Sequence, residues 1–448
     1  MKQKTYDLTT GNIQKTMLRF VLPYLLSCFL QTFYGLADMF VVGLYNGSET
    51  STAVSIGSQA THMMTVMIVG LAMGTTVGIG HCIGSKDDVR ARKITGNTVI
   101  LFAGLAAVLT LILSIFTGNV VSILMTPAEA VQETTRYLQI CFAGIPFIIA
   151  YNVISSIYRG IGDSKSPLVF VFIACIVNIV IDFLFIGSFG MGASGAAFGT
   201  IIGQACSVVI SLAYLKKRGI GFRIEKEDFL PEISAIRSIL KVGFPIAMQD
   251  GLIQIAFLVI TVIANSRGLI DSVSVGIVEK IICFLFLVPS AFLSAISAVT
   301  AQNVGAGRWD RAKDCLRFGL FVTVSWGFLC FLCGQFLPEP LIGIFRREPE
   351  ILLKASGYLR AYTIDCMLAA VHFCFSGYFC GIQRSEISFI HNIISVVFIR
   401  VPGAYLASKL FADTLYPMGL AAPIGSFLSI LICIGFYISL KKKARGII

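Results

Sequence analysis

Apolar runs long enough to cross a bilayer recur along this chain, at residues 16–43, 52–81, 94–118, 135–158, 167–189, 192–215, 235–265, 273–300, 315–338, 352–380, 386–411 and 415–440. A helix of roughly 20 apolar residues covers the roughly 30 Å hydrocarbon core. In that core every backbone polar group must be paired inside its own segment. The pattern therefore predicts an all-α polytopic membrane protein with twelve transmembrane helices. Composition closes off the soluble alternatives, because 56% of the 448 residues are apolar and only 13% are charged.

The formal net charge of +11 would suit a nucleic-acid ligand if it were gathered on one face or tail. Instead the basic residues stand in short segments between apolar runs, so no nucleic-acid partner is expected. The clusters are Lys2, Lys4 and Lys15; Lys86 to Lys93; Lys216-Lys217-Arg218; Arg308 to Lys313; and the tail Lys441-Lys442-Lys443-Ala444-Arg445. If the helices alternate in direction, all of these fall on one side, which the positive-inside rule makes cytoplasmic, together with both termini. The opposite side has short links at 46–51, 188–190 and 412–416 and one exception, Arg346-Arg347, offset in part by Glu348 and Glu350. Residues 1–15 are polar and the first apolar run carries no small-residue cleavage signature, so the first helix is expected to stay in the mature chain. The thirteen Cys stand mostly singly inside apolar runs without Cys/His ligand spacing, which predicts small buried hydrophobes rather than disulfides or a metal site.

The chain also repeats itself. Gly84 and Gly305, Tyr137-Leu138 and Tyr358-Leu359, Gly160-Ile161 and Gly381-Ile382, and Ser164 and Ser385 are all 221 residues apart, and Pro23 and Pro245 miss that offset by one. Six helices per repeat is an even number, so the halves insert with the same orientation. The expected organisation is an N-terminal six-helix lobe over 1–215, a cytoplasmic linker over 216–238, a C-terminal six-helix lobe over 239–440 and a basic tail over 441–448. Two such lobes imply a central cavity.

Ionisable residues inside these runs are the candidate chemistry. Leu22 to Leu44 carries a carboxylate at Asp38, with no Lys or Arg between Arg19 and the end of the run. An Asp near a helix centre costs about 2.5–3.5 kcal/mol to insert, so Asp38 must be protonated, bind a cation or face a wet cavity. Asn178 and Asp182 stand four residues apart, one above the other on a helix face among apolar neighbours. Either they form a cation site, or Asp182 is simply solvated at the outer end of its helix. Asp365 and His372 share a face two turns apart, as a packing pair or as a proton relay and substrate counter-charge. Glu279 and Lys280 are adjacent and so point in different directions, leaving Lys280 as a candidate counter-charge for another carboxylate. Arg400, before Pro402, is a second buried cation or a snorkelling side chain. Pro23, Pro245 and Pro402 allow kinks, and Met63, Met64, Met67, Met73, Met248 and the 35 Phe offer adaptable apolar lining.

Several of these segments together resemble one family. Leu22-Pro23 with Gln31 and Ala37-Asp38-Met39-Phe40-Val41-Val42-Gly43, the loop Gly84-Ser85-Lys86-Asp87-Asp88-Val89-Arg90-Ala91-Arg92-Lys93, Arg159-Gly160-Ile161-Gly162-Asp163, and Ala301 to Arg308 are similar to the multidrug and toxic compound extrusion (MATE) family. The similarity covers nearly the whole chain. It is greatest to the DinF-type, MepA-like branch, whose helix 1 acid, helix 5 Asn-x-x-x-Asp pair and helix 6 Thr are matched by Asp38, by Asn178 and Asp182, and by Thr200. The branch that relies on an acid deep in helix 7 is matched only by Asp250, five residues past Pro245.

The resemblance implies a secondary active exporter of lipophilic or cationic organic compounds, working by alternating access in exchange for H+ or Na+, without a cofactor. The expected coupling site, and the possible Na+ site, is Asp38, Asn178, Asp182 and Thr200. Substrate-cavity and secondary polar positions are expected at Gln31, Tyr34, Tyr137, Asn152, Gln249, Lys280, Asp365, His372 and Arg400. A monomer in the bacterial inner membrane, partnered by the bilayer and by small molecules, is expected. A flippase for lipid-linked precursors shares the fold superfamily but would favour a basic cavity. A receptor or channel fits the two-lobe repeat poorly, and no catalytic motif points to an enzyme.

Overall fold

The protein is described here from a computed structural model covering residues 7–444; Lys2, Lys4 and the end of the basic tail, 445–448, lie outside the described residues. Its membrane-spanning helices are α1 (Ile13–Tyr45), α2 (Ser48–Ser85), α3 (Asp88–Ile115), α4 (Ala128–Ala143 with Ile145–Gly160), α5 (Lys165–Ser188), α6 (Gly192–Arg218), α7 (Ile233–Asn265), α8 (Leu269–Gly305), α9 (Trp309–Phe336), α10 (Pro349–Gly381), α11 (Ser385–Leu410) and α12 (Tyr416–Lys442). No strand occurs among the described residues. Eleven are single spans and α4 is a pair bent by 49° at Gly144. Pro146 at the start of the second segment explains the break, since it cannot donate into the preceding turn. A side chain at Gly144 would also collide with Ile201. Helix α4 begins earlier than the apolar run 135–158 because its first turns carry Gln132, Glu133 and Arg136, which hydropathy does not see. Against the expectation of no C-x-x-C pair, Cys330 and Cys333 form one within α9, and all thirteen cysteines are free.

The repeat is visible in local geometry. Lys86 and Gly307 both take positive φ, 58° and 73°, and so do Gly162 and Gln383, 92° and 61°. Each of these turns is closed by the same backbone bond: Asp87 N to Cys82 O at 2.9 Å and Arg308 N to Asn303 O at 2.8 Å, then Asp163 N to Tyr158 O and Arg384 N to Phe379 O, both 2.8 Å. Gly160 packs on Ile79 and the Thr76 carbonyl, and Gly381 packs on Thr300 and the Ser297 carbonyl. Every pair keeps the 221-residue offset. The same backbone is therefore built twice.

Two compact units carry these repeats, one built on Leu18–Ala247 and the other on Met248–Val304 with the chain from Arg308 onward. The division falls inside α7 rather than within the expected linker 216–238. The reason lies in two glycines. A Cβ on Gly74 would strike the Ile239 carbonyl, and one on Gly243 would strike the Leu71 carbonyl, so the first turns of α7 lie backbone to backbone on α2 and belong to the first unit.

The segment between α6 and α7 is itself docked. Asn97 on α3, only 1% exposed, accepts from the Glu232 backbone N–H at 2.7 Å and donates to the Leu230 carbonyl at 3.2 Å. Arg92 reaches Glu225 at 3.2 Å and Lys93 reaches Glu232 at 2.8 Å. The hydrogen bond from Lys93 holds the Glu232 carboxyl below its usual range. Asn97→Ala should leave two backbone groups unsatisfied, at about 1–3 kcal/mol each. The expected result is faster proteolysis within 219–232 of the purified variant with its helix content unchanged.

Candidate ion-coupling site

Four residues from three helices of the first unit meet in one place, and small residues make the meeting possible. Helices α5 and α6 pack along their length. A Cβ at Gly199 would occupy the space of the Asp182 carboxylate, and one at Gly203 would press on the Ala174 carbonyl and Asn178. These glycines give α6 a groove that receives the polar face of α5. Asp182 closes the α-helical part of α5, and the chain then widens into a π-helical turn over Phe183–Ser188. Such turns recur at functional sites because they re-aim the side chains beside them.

Asp38 is 3% exposed, Asn178 2% and Asp182 0%. The reading of Asp182 as a solvated residue at a helix end is therefore overturned. Thr200 Oγ1 donates to Asp38 Oδ2 at 3.1 Å, and Asp38 also lies within interaction range of Asp182 and Asn178. The second oxygen of Asp38, both carboxylate oxygens of Asp182 and both amide atoms of Asn178 are buried with no hydrogen-bond partner. Buried polar atoms are paired in more than about nine cases of ten, and these five are groups that a bound cation or a proton would help to satisfy. The donor set is carboxylate, amide and hydroxyl oxygen, which suits a hard cation such as Na+. A proton would instead remove one of the two charges.

Around this core, Tyr34 OH accepts from Gln204 Nε2 at 3.5 Å. Gln204 was not among the sequence candidates. Its signal is the spacing of four from Thr200 on one face of α6. Gln31, Tyr34 and Asp38 follow one another along one face of α1, and Gln31 is half-buried. The other expected lining residues are more dispersed. Tyr137 packs on Gly57 in the core of the first unit. Asn152 donates to the Ile148 carbonyl of its own helix at 2.8 Å. In the second unit, Gln249 accepts from Ser388 at 2.9 Å.

The second unit holds its own polar group. Asp365 is 1% exposed and His372 7%, and Ser426 of α12 stands 3.3 Å from His372 Nε2 while also contacting Asp365. The His372 ring lies 5.6 Å from that of His391, which bonds to Ser376 at 2.9 Å. Arg400 donates to the Tyr362 hydroxyl and sits 4.7 Å over the Phe257 ring. Lys280 is exposed and pairs with no carboxylate among the described residues, while Glu279 accepts from Thr261 at 3.4 Å. Ser376, Ser426 and Tyr362 carried no sequence signal, being ordinary residues in apolar runs, whereas the signal of His391 is an ionisable residue inside the run 386–411.

Known proteins place this geometry in context. The family model MatE matches the chain twice, over residues 23–184 and 245–406. Among curated relatives, the probable multidrug resistance protein YpnP of Bacillus subtilis is 28% identical over 95% of this chain and 94% of its own length. The multidrug export protein MepA of Staphylococcus haemolyticus is 22% identical over 94% of this chain and 93% of its own. The fold is shared with a MOP superfamily transporter from Pyrococcus furiosus, at a TM-score of 0.92, 22% identity and 99% coverage of both chains. An outward-facing multidrug resistance MATE transporter gives 0.91 at 22% identity, covering 99% of this chain and all of that one. Two matches that together span most of the sequence, one per repeat, make this multi-pass membrane protein a member of the MatE family, whose members are transporters and not enzymes.

Proposed function

We propose that the protein is a multidrug exporter that moves lipophilic or cationic organic compounds out of a bacterial cell in exchange for H+ or Na+, with both termini cytoplasmic. The observation that carries the reading is the pocket of Asp38, Asn178, Asp182 and Thr200, with two buried carboxylates and no ion pair among the described residues. Burying a charge costs several kcal/mol even after relaxation, so the pocket closes cheaply only when it holds a cation or a proton. Opened to water, the same carboxylates are solvated and release that ion. A cationic drug held in the first lobe would compete for this negative charge, or favour the conformation in which the ion has left. Ion and drug then weaken each other by the same factor, a reciprocal coupling of about 1–3 kcal/mol. That reciprocity is antiport in thermodynamic form. The precursor-flippase alternative gains nothing from a site built on two acids. The names and the matched lengths of the relatives support export as the direction of transport.

Three outcomes test the reading. Asp38→Asn keeps the shape but cannot cycle between charged and neutral states, so the variant should insert normally in proteoliposomes yet lose gradient-driven efflux of a fluorescent cationic dye. Wild-type efflux from this variant would make Asp38 structural. Dye affinity of the purified protein should fall about 5- to 150-fold as pH drops or Na+ rises, and Asp182→Asn should remove most of that dependence. Dye binding indifferent to both ions would sink the coupling site. Single cysteines placed at 46–50 and at 216–228 should label from opposite sides of the membrane, and labelling from one side would overturn the topology.

A further inference from the structure

In the second unit, charge ties together the links between α7 and α8 and between α11 and α12. Arg267, just past α7, donates to Asp271 on α8 at 2.6 Å and to the Ser408 and Ala412 carbonyls at the end of α11, both at 2.8 Å. Lys354 on α10 reaches the other oxygen of Asp271 at 2.7 Å. Asp271 is 2% exposed, so one buried acid is held between two bases. The 221-residue offset places Asn46, Thr50 and Glu133 at these three positions of the first unit. The register holds at this turn, because α2 starts from Gly47 as α8 starts from Gly268.

Two bases and the acid between them are thus replaced by an amide, a carboxylate and a hydroxyl. Thr50 is buried, and Glu133 Oε2 and the Thr50 methyl lie 3.4 and 3.6 Å from where a Cβ on Gly192 would stand, so both side chains crowd the first residue of α6. Glu133 is half-buried and pairs with no base among the described residues. Its Oε2 and the Asn46 Oδ1 are buried with no hydrogen-bond partner. The start of α6 favours a negative charge beside it, yet its N–H groups leave Oε2 unbonded. Both unpartnered atoms are acceptors only, and the bases that serve this position in the second unit are gone.

We propose that Asn46, Thr50 and Glu133 form an outer station for a hard monovalent cation, Na+, which takes up the ion before it reaches the pocket of Asp38 and Asp182. This rests on the export reading and its topology, which puts this end of the unit outside the cell, and it names Na+ as the ion. Carboxylate, amide and hydroxyl oxygens are the donors that such an ion takes. Asn46 stands eight residues beyond Asp38, and Gly192 eight before Thr200 on α6, about 12 Å of helix in each case. Thr200 donates to Asp38, so α1 and α6 meet at the pocket and both run from there to the station. A half-buried carboxylate at that point exchanges ions with water and raises the local cation concentration. Lys354 gives the matching place in the second unit the opposite preference.

Dye efflux from proteoliposomes of the full-length protein is measured while external Na+ is varied against choline at constant ionic strength. Glu133→Gln should raise the half-saturating Na+ about tenfold, with the rate recovered at excess Na+, and Glu133→Asp, which keeps the charge, should stay within about threefold of wild type. Binding is read separately in detergent. With the inner pocket disabled by Asp38→Asn and Asp182→Asn, Na+ but not choline should still raise the melting temperature, and adding Glu133→Gln should abolish that rise. An unchanged Na+ dependence in Glu133→Gln, whether or not its melting temperature falls, would overturn the station and make Glu133 a helix cap for α6. Wild-type efflux that follows a pH gradient and ignores Na+ would also overturn it, while leaving the export reading intact. Wild type that moves dye under neither gradient would bring down the export reading, and the melting temperatures would still decide the station.

Discussion

The pairing of Asp38 with Asp182 is the constraint on which the first unit depends. Were both ionised, two carboxylates about 4 Å apart would repel by about 4 kcal/mol at an effective dielectric of 20. Burial adds a desolvation cost for each, and neither is offset by an ion pair among the described residues. The surrounding residues make sense in these terms. Gly199 and Gly203 open the groove that admits the carboxylate, Thr200 supplies one hydrogen bond, and the π-helical turn after Asp182 ends the regular helix at the point where the acid must be aimed. Two carboxylates buried together carry a cost that a bound ion would relieve, and this is the physical basis of the coupling proposed above.

The first unit also shows how a repeat is joined to its successor. The residues between α6 and α7 form a short helical turn pressed on Gly96 of α3, held by Asn97, Arg92 and Lys93. From there α7 starts directly against α2 through Gly74 and Gly243. Surface ion pairs of this kind contribute little by themselves. The two hydrogen bonds of the buried Asn97 and the glycine contacts are what tie the start of α7 to the first unit, and they explain why the division of the backbone falls within α7.

Much of this was legible in the sequence, for local reasons. Hydropathy over about 20 residues reports whether a segment can cross hydrocarbon, so the spans and their number were readable, and α4 strayed because its first turns are polar. The constant offset of Gly84 and Gly305 and of Gly160-Ile161 and Gly381-Ile382 was readable, and the left-handed turns at 86, 162, 307 and 383 lie within two residues of those pairs, since backbone geometry there is set by neighbouring residues. Asp38 was conspicuous because an acid in an apolar run is expensive wherever that run goes. By contrast, Ser376 and Ser426 gave no signal, while Gln204 and His391 gave only weak ones, a spacing of four from Thr200 and a place inside an apolar run. A Gln or Ser inside a membrane helix costs too little to demand a partner, and its partner is chosen by helices far away in the chain.

What the sequence determined by itself was the set of segments, their doubling and the residues too polar to be idle. These are properties of single helices or of short turns, where cause and effect are a few residues apart. Only the tertiary structure decided that Asp182 is fully buried and not solvated, and that, among the described residues, Lys280 is exposed with no carboxylate partner and Arg159 is enclosed without an acid while Asp163 caps a helix. Each depends on which helix faces arrive opposite one another. That arrival is set by small residues such as Gly199, Gly203 and Gly243, whose role is to be absent where another chain segment must pass.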